Sequence, residues 1–473
     1  MDEGIQATQG IDQGGDEGLA GGTAQPCAVP KGKPGRRKAV RPIAPELACE
    51  LAVTIRHFLP ELAVWLGEVK DKRDAQQVTF PLKVLLLQGV LMFLTHSGSR
   101  NHFNNWAREA VQMARLLGRL TDCEVEAVAH LDTLEGVLRK IDPVMLELVL
   151  AASVRRLIRM KALDGWRVGG RFLLAVDGTG MHSFNEPHCE ECLKAEHADG
   201  TVTYSHKLLV AFLVSQDGFA LPVACEFIEN TGGLYIKQDC EQKAFRRLER
   251  RLRDLFPQTP FWLLLDALYA DQNIMRSCFG YGWNFCIAFL DTDMPALWKE
   301  AQALLALAPE QRASLTLPNK KGSREVRWIN DLAYEGLSLG VIFQTDSDDQ
   351  GQVIAQFAHL TARPIDRDNV WSVASAARLR WRCENEGFNV LKNGGFALEH
   401  VYSRNPSASK GYCHLMLIAH LIQQLLVRGR LGAVFKAVFK SFRNYGQKLA
   451  QSLGTYVLPD GLPLPGQIRL STA

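Results

Sequence analysis

The sequence predicts an α/β chain: a mixed sheet flanked by helices and carrying a β-rich insertion, with an all-helical region before it and a basic helical region after it. Three observations lead there. Two short apolar runs, Phe172 to Val176 and Phe261 to Leu265, each end at a carboxylate, Asp177 and Asp266, as strands buried on both faces tend to do. From Glu46 to about Ala162 apolar residues recur at three- and four-residue spacing, the period of helices with one buried face. From Val401 to Pro459 there are eight Lys or Arg (Arg404, Lys410, Arg428, Arg430, Lys436, Lys440, Arg443, Lys448) and no Asp or Glu.

Composition bounds the function. At 473 residues the chain is long enough for two or three domains with a large core. Its net charge of +3 leaves any affinity for a polyanion to local patches. The longest apolar segment, Val84 to Leu94, is broken by Gln88 and Gly89 and falls short of the roughly 20 residues that span a bilayer. The first thirty residues are acidic and Gly-rich with no apolar signal core, and the eleven cysteines are mostly singletons inside apolar segments, so a reducing, cytosolic location is expected.

Residues 1–45 read as a flexible tail ending in the basic run "PKGKPGRRKAVR", which either touches nucleic acid or is simply solvated. Residues 46–165 form the helical region, and residues 401–473 the basic helical one. Between them, "FLLAVDG", "TVTYSHKLLVAFLV" and "ALPVACEFI" predict three consecutive antiparallel strands separated by Gly-containing turns. "KQDCEQKAFRRLERRLRDLF" is an amphipathic helix ended by Pro257, followed by the strand "FWLLLDALYAD", a short helix and the strand "WNFCIAFLD". The order βββαβαβ describes a ribonuclease H-like core, spanning residues 166–400. "REVRWINDL", "LSLGVIFQT" and "QVIAQFAHLT" supply the strands of an insertion at about 292–365.

In such a sheet the first strand is central and the strand after the first helix runs parallel beside it, so Asp177 and Asp266 stand side by side. Paired carboxylates repel unless a cation intervenes, and oxygen ligands of this kind suit Mg2+ or Mn2+. A third acid is expected late in the chain, in "SVASAARLRWRCENEGFNVLKNGGF". There Glu384 and Glu386 flank an apolar stripe on opposite sides, since two residues on a helix turn through about 200°. Periodicity leaves the choice between them open.

"AVDGTG", "LLLDALYAD" and "RLRWRCENEGFNVLKNGGFALEHVYSRN" together resemble the transposases of bacterial insertion sequences, members of the DDE superfamily with ribonuclease H-like cores. The resemblance covers roughly residues 170–430. In the cut-and-paste branch the catalytic glutamate lies in a signature of Tyr, two residues, Arg, three residues, Glu, six residues, Lys. Arg380 and Glu384 fit that spacing, which points to Glu384; the tyrosine position holds Ala377, and the lysine falls one residue late, at Lys392. Glu386 follows Arg382 by the same interval and stays an alternative.

The resemblance implies an enzyme that cleaves and joins DNA with two Mg2+ or Mn2+ ions held by Asp177, Asp266 and Glu384. It further implies terminal inverted repeats and target DNA as partners, a homodimer on the DNA, and a bacterial cytoplasm. The helical region 46–165 would bind the DNA ends. Arg380, Arg382, Lys392, Arg428 and Arg430 are candidate phosphate contacts, and Trp328 of the insertion is a candidate to stack a base, against the alternative of core packing. "HCEEC" supplies Cys189 and Cys192 with His188, and His197 further on. That is half of a zinc motif, with a thiol pair as the default reading. Two rival functions stand beside this one: a DNA-binding protein of transposase descent without catalysis, and an actin-like or sugar-kinase ATPase suggested by "DGTG" after a strand.

Overall fold

A short strand β1 (Arg167–Val168) turns through Gly169 and Gly170, both at positive φ, into the long strand β2 (Arg171–Phe184). There follow β3 (Leu193–Glu196), β4 (Val202–Val214) and β5 (Ala220–Ile228), then the helix Glu241–Leu255, β6 (Phe261–Leu265), the helix Gln272–Tyr281 and β7 (Asn284–Ala288). The helix Pro295–Leu307 leads into β8 (Arg312–Thr316), β9 (Ser323–Tyr334), β10 (Leu337–Ser347) and β11 (Val353–Thr361). The computed structural model describes residues 46–473 except 231–237, 318–321, 433, 460, 462–465 and 471–473. The tail 1–45 with its basic run lies outside the described residues.

All these strands join one mixed sheet. β4 pairs antiparallel with β2, and β3 and β5 share the far edge of β4, β3 at its start and β5 along the rest. β6 pairs parallel with β2, and β7 parallel with β6. The core order β5-β4-β2-β6-β7, with the first long strand central and helices on its faces, is consistent with a ribonuclease H-like core. The inserted strands continue the same sheet: β11 pairs antiparallel with β7, and β10, β9 and β8 follow as a meander. β6 (FWLLL) is buried throughout, which explains its unbroken apolar run.

The described residues fall within one compact unit. Seven α-helices between Leu47 and Arg159 precede the sheet. The helix Pro406–Leu425 threads among them, packing on Leu82–Leu94, Leu131–Leu138 and Val144–Arg159 and also on β5. Gly89 sits at one crossing, where a Cβ would come within 2.8 Å of both Leu134 and Leu415 side chains, so only glycine lets the two helices approach this closely. The helix Phe442–Thr455 closes the layer against Leu47–Phe58 and Val111–Thr121. The helical residues before the sheet and those after it therefore bury their apolar stripes against each other.

The helix Glu241–Leu255 is fastened by charge. Arg251 pairs with Glu147 (2.9 Å) and Glu226 (2.5 Å), and Arg247 with Glu226 and Asp239 (each 2.6 Å), tying that helix to β5 and to Val144–Arg159. Its first residue, Glu241, is thereby held over the middle of β2.

Candidate active site

β2 and β6 pair in parallel register, Ala175 opposite Leu264, so Asp177 and Asp266, each two residues further on, stand at the same level of the sheet. Asp177 is still within a strand, whereas Asp266 is the first residue past β6 and begins the turn Ala267–Tyr269. Arg380 spans the pair: it donates to Asp177 Oδ2 at 2.9 Å and lies 3.6 Å from Asp266 Oδ1. Burial raises the Asp177 pKa. Arg380 and the Gly178 amide, which donates to Oδ1 at 2.9 Å, oppose the rise, while Asp266 and Glu241 add to it.

The Glu241 carboxylate is an acid of this site that sequence reasoning missed. It packs on Gly178, where a Cβ would meet its carboxyl atoms at 2.6–2.8 Å, and it accepts a 3.4 Å hydrogen bond from the Tyr269 hydroxyl. The Gly of "DGTG" is needed for that approach rather than for a phosphate loop. Burial pushes the Tyr269 phenol far up, with Glu241, Asp177 and Asp266 all contributing. The only sequence signal was an acid in the first turn of an amphipathic helix, where such residues are common in any protein.

The late glutamates lie in a π-helical turn, Cys383–Phe388, between the helices Val370–Arg378 and Asn389–Asn393. Glu386 is drawn away from the aspartates: Arg382 donates to it, Arg382 also reaches the Gln216 carbonyl (3.0 Å), and Arg428 lies within its field. Gln216 belongs to the β4–β5 hairpin and Arg428 to the π-helical turn Leu426–Arg430. Glu384 is exposed, one turn beyond Arg380. The buried Cys383 thiol, pushed up first by burial, also feels both Asp177 and Glu384, which sets these two acids around the same side chain.

The remaining candidates divide sharply. Lys392 pairs with Glu399 at 3.0 Å; Arg428 donates to the Gly218 carbonyl and lies over the Phe219 ring; Arg430 pairs with Glu50. Lys410 is likewise held by Glu229 and Glu191. Lys436, Lys440, Arg443 and Lys448 are exposed. Trp328 does not present a ring to DNA: it is only 4 % exposed, and its alternate neighbour Val326 is buried beside it in β9, on which the helix Pro295–Leu307 packs. The exposed tryptophan near the acids is Trp381, 55 % accessible, with the Arg380 guanidinium 5.0 Å from its ring centroid. It borders a cavity of about 320 Å³ that runs from Asp266 to the inserted strands, lined also by Trp298, Phe343 and Phe357. Cys189 and Cys192 lie on the loop between β2 and β3, with His206 of β4 beside them, whereas His197 instead bonds the Thr203 hydroxyl.

One bridge fixes the insertion to the helix Val370–Arg378, whose end leads into the turn that carries Arg380. Asp346 of β10 accepts from Arg324 of β9 (2.7 Å) and from Arg378 (2.6 Å), and its side chain is nearly buried. Asp346→Asn removes the charge that both guanidinium groups share, and a stability loss on the order of 2 kcal/mol is expected in a urea titration.

Residues 235–422 match the family model of the transposase DDE domain. Over that segment the chain is similar to the transposase DDE domain. The match takes in Asp266, Glu384 and Glu386 but begins after Asp177, which joins the site through the parallel pairing of β2 with β6. Compared with curated proteins, the chain finds no match. Among the described residues no helix is long and apolar enough to cross a membrane.

The donor set of this site fits divalent cations of the hard type. Asp177 within β2 and Asp266 just past the end of the adjacent β6 offer oxygens at the same level of the sheet, and their mutual repulsion already requires the positive charge that Arg380 supplies.

Proposed function

We propose that the chain is the transposase of a bacterial insertion sequence, binding the element's terminal inverted repeats and carrying out metal-dependent strand cleavage and strand transfer. The observation that supports it most is the parallel register setting Asp177 beside Asp266 within reach of one guanidinium. Asp177, Asp266 and Glu384 are the residues that would hold Mg2+ or Mn2+. Such ions, when bound, activate one oxygen and stabilise another during in-line displacement at phosphorus.

The protein's own residues do the rest. Asp177, fixed inside a strand, and Asp266, at a strand end, hold their carboxylates on a rigid floor. Arg380 carries a planar fork suited to two phosphate oxygens and sits where the scissile phosphate must come. Trp381 offers an exposed ring beside that position on which a base can stack. No protein nucleophile is called for. The two ends of an element must be held together, so a homodimer on DNA belongs to this reading.

Binding along the DNA backbone falls to Lys436, Lys440, Arg443 and Lys448, because Lys410, Arg428 and Arg430 of the same basic stretch are engaged within the fold and the exposed Arg404 lies beside the His188 loop, apart from these four in the chain. Replacing these four by Gln should weaken end binding for any sequence and flatten its salt dependence by about 0.9 in log–log slope for each phosphate no longer neutralised, measured by fluorescence anisotropy across salt concentrations. The reading as a whole is tested by incubating the purified protein with Mg2+ and DNA bearing the repeats that flank its gene. Nicks at the repeat ends and joined products are expected. Retention of DNA without any cleavage, in either Mg2+ or Mn2+, would overturn the catalytic reading.

A further inference from the structure

Far along the β2–β4 ribbon from the acids, four side chains converge. The loop after β2 contributes His188, Cys189 and Cys192, and β4 contributes His206, which the strand register sets opposite His182 of β2. One ligand atom from each lies within 4.8 Å of all the others. The two sulfurs are 3.7 Å apart, His206 Nε2 stands 3.4 Å and 3.5 Å from them, and His188 Nδ1 is 3.0 Å from Cys192 Sγ. A tetrahedral zinc ion, with bonds of about 2.3 Å to sulfur and about 2.0 Å to nitrogen, sets its ligands roughly 3.3–3.8 Å from one another. Three of these four separations fall in that range, and the His188 contact is slightly shorter. The sulfur separation is far too long for a disulfide, in which the atoms are about 2.05 Å apart.

We propose that His188, Cys189, Cys192 and His206 form a structural zinc site. Two thiolates and two imidazoles in a tetrahedron are the donor set zinc prefers, and four protein ligands leave no open position for a reacting water. His182, opposite His206, is five residues beyond Asp177, so the site stands about 15 Å along the ribbon from the acids, too far to share their metal. The ion closes the loop 185–192 onto β4. Between its two cysteine ligands the loop also carries Glu191, which takes Lys410 of the helix Pro406–Leu425 at 3.3 Å and whose carbonyl accepts from the Asn230 amide just past β5. The zinc therefore locks a junction of β4, the end of β5 and the long helix, holding the far end of the ribbon rigid.

The test is metal analysis of the full chain purified from zinc-supplemented cells, by plasma mass spectrometry against protein concentration. One zinc per chain is expected, lost on Cys192→Ser and on His206→Asn but kept by Asp177→Asn. Cobalt put in place of zinc should give the intense d–d bands of a tetrahedral site with sulfur-to-metal charge transfer. Because the wild-type chain is itself assayed, misfolding of a variant cannot decide the outcome. A wild-type chain that holds no stoichiometric zinc and takes up no cobalt, one whose stoichiometric metal is iron, or one whose zinc survives Cys192→Ser, overturns the proposal.

Discussion

Asp177→Asn and Asp266→Asn should each abolish strand cleavage in Mg2+, by a factor on the order of 10³ or more, while leaving the affinity for end DNA within a few-fold. Loss of a ligand carboxylate forfeits several kcal/mol of transition-state stabilisation, and each 1.4 kcal/mol is about tenfold in rate. Asparagine keeps the shape of the side chain, so β2 and the turn after β6 are not disturbed. At position 177 the change also removes the half-buried charge that Arg380 neutralises, yet leaves that guanidinium its second partner at Asp266. Nicking rates on labelled end duplexes and gel-shift affinities, measured on the same preparations, check both halves of the expectation.

Glu384→Gln should match the aspartate variants in the same assay, whereas Glu386→Gln should retain cleavage within several-fold and instead lower stability by about 1 kcal/mol. The difference comes from where the two carboxylates go. Glu386 is bound to Arg382, which grips the β4–β5 hairpin through the Gln216 carbonyl, a structural contact remote from the aspartates. Glu384 is exposed, one turn from Arg380, and shares the neighbourhood of Cys383 with Asp177. Glu241 is the third variant to make. It is held against Gly178 and the Tyr269 hydroxyl, so Glu241→Gln should slow cleavage less than Glu384→Gln, the amide keeping the hydrogen bond. Loss of cleavage with Glu386→Gln and retention with Glu384→Gln would reverse the assignment.

Much of the sheet was legible because its strands carry their own signature. β6 and β7 are apolar runs bounded by turns, and β4 and β5 are apolar or β-branched stretches separated by Gly; of β2 only the apolar half was legible, since the strand does not end at Asp177 but runs on through "DGTG" to Phe184, paired with β4. The inserted strands β9, β10 and β11 were equally plain. β3 and β8 were not, since "LKAE" and "RASLT" are short edge strands of mixed polarity whose pairing is decided by their neighbours. The helix Pro295–Leu307 escaped notice as well, and it is what decides for core packing at Trp328: a strand's alternation says which residues share a face but not what packs on that face.

The site was legible where it depends on the order and pairing of strands and opaque where it depends on helix phase. Asp177 and Asp266 follow from the order of elements alone. The choice between Glu384 and Glu386 does not, because the segment holding them is a π turn and the 3.6-residue period that assigns helix faces fails across it. Glu241 and His206 were beyond reach for a related reason. Each meets its partners through tertiary packing or strand register, at sequence distances for which no spacing rule exists.

The central claim, that these acids ligate the catalytic metal, is tested most directly by Asp266→Cys assayed with end DNA in Mg2+ and in Mn2+. A thiolate binds the softer Mn2+ far better than Mg2+, so cleavage should vanish in Mg2+ and return in Mn2+. Cleavage at the wild-type rate in Mg2+ would show that Asp266 holds no metal and would contradict the account.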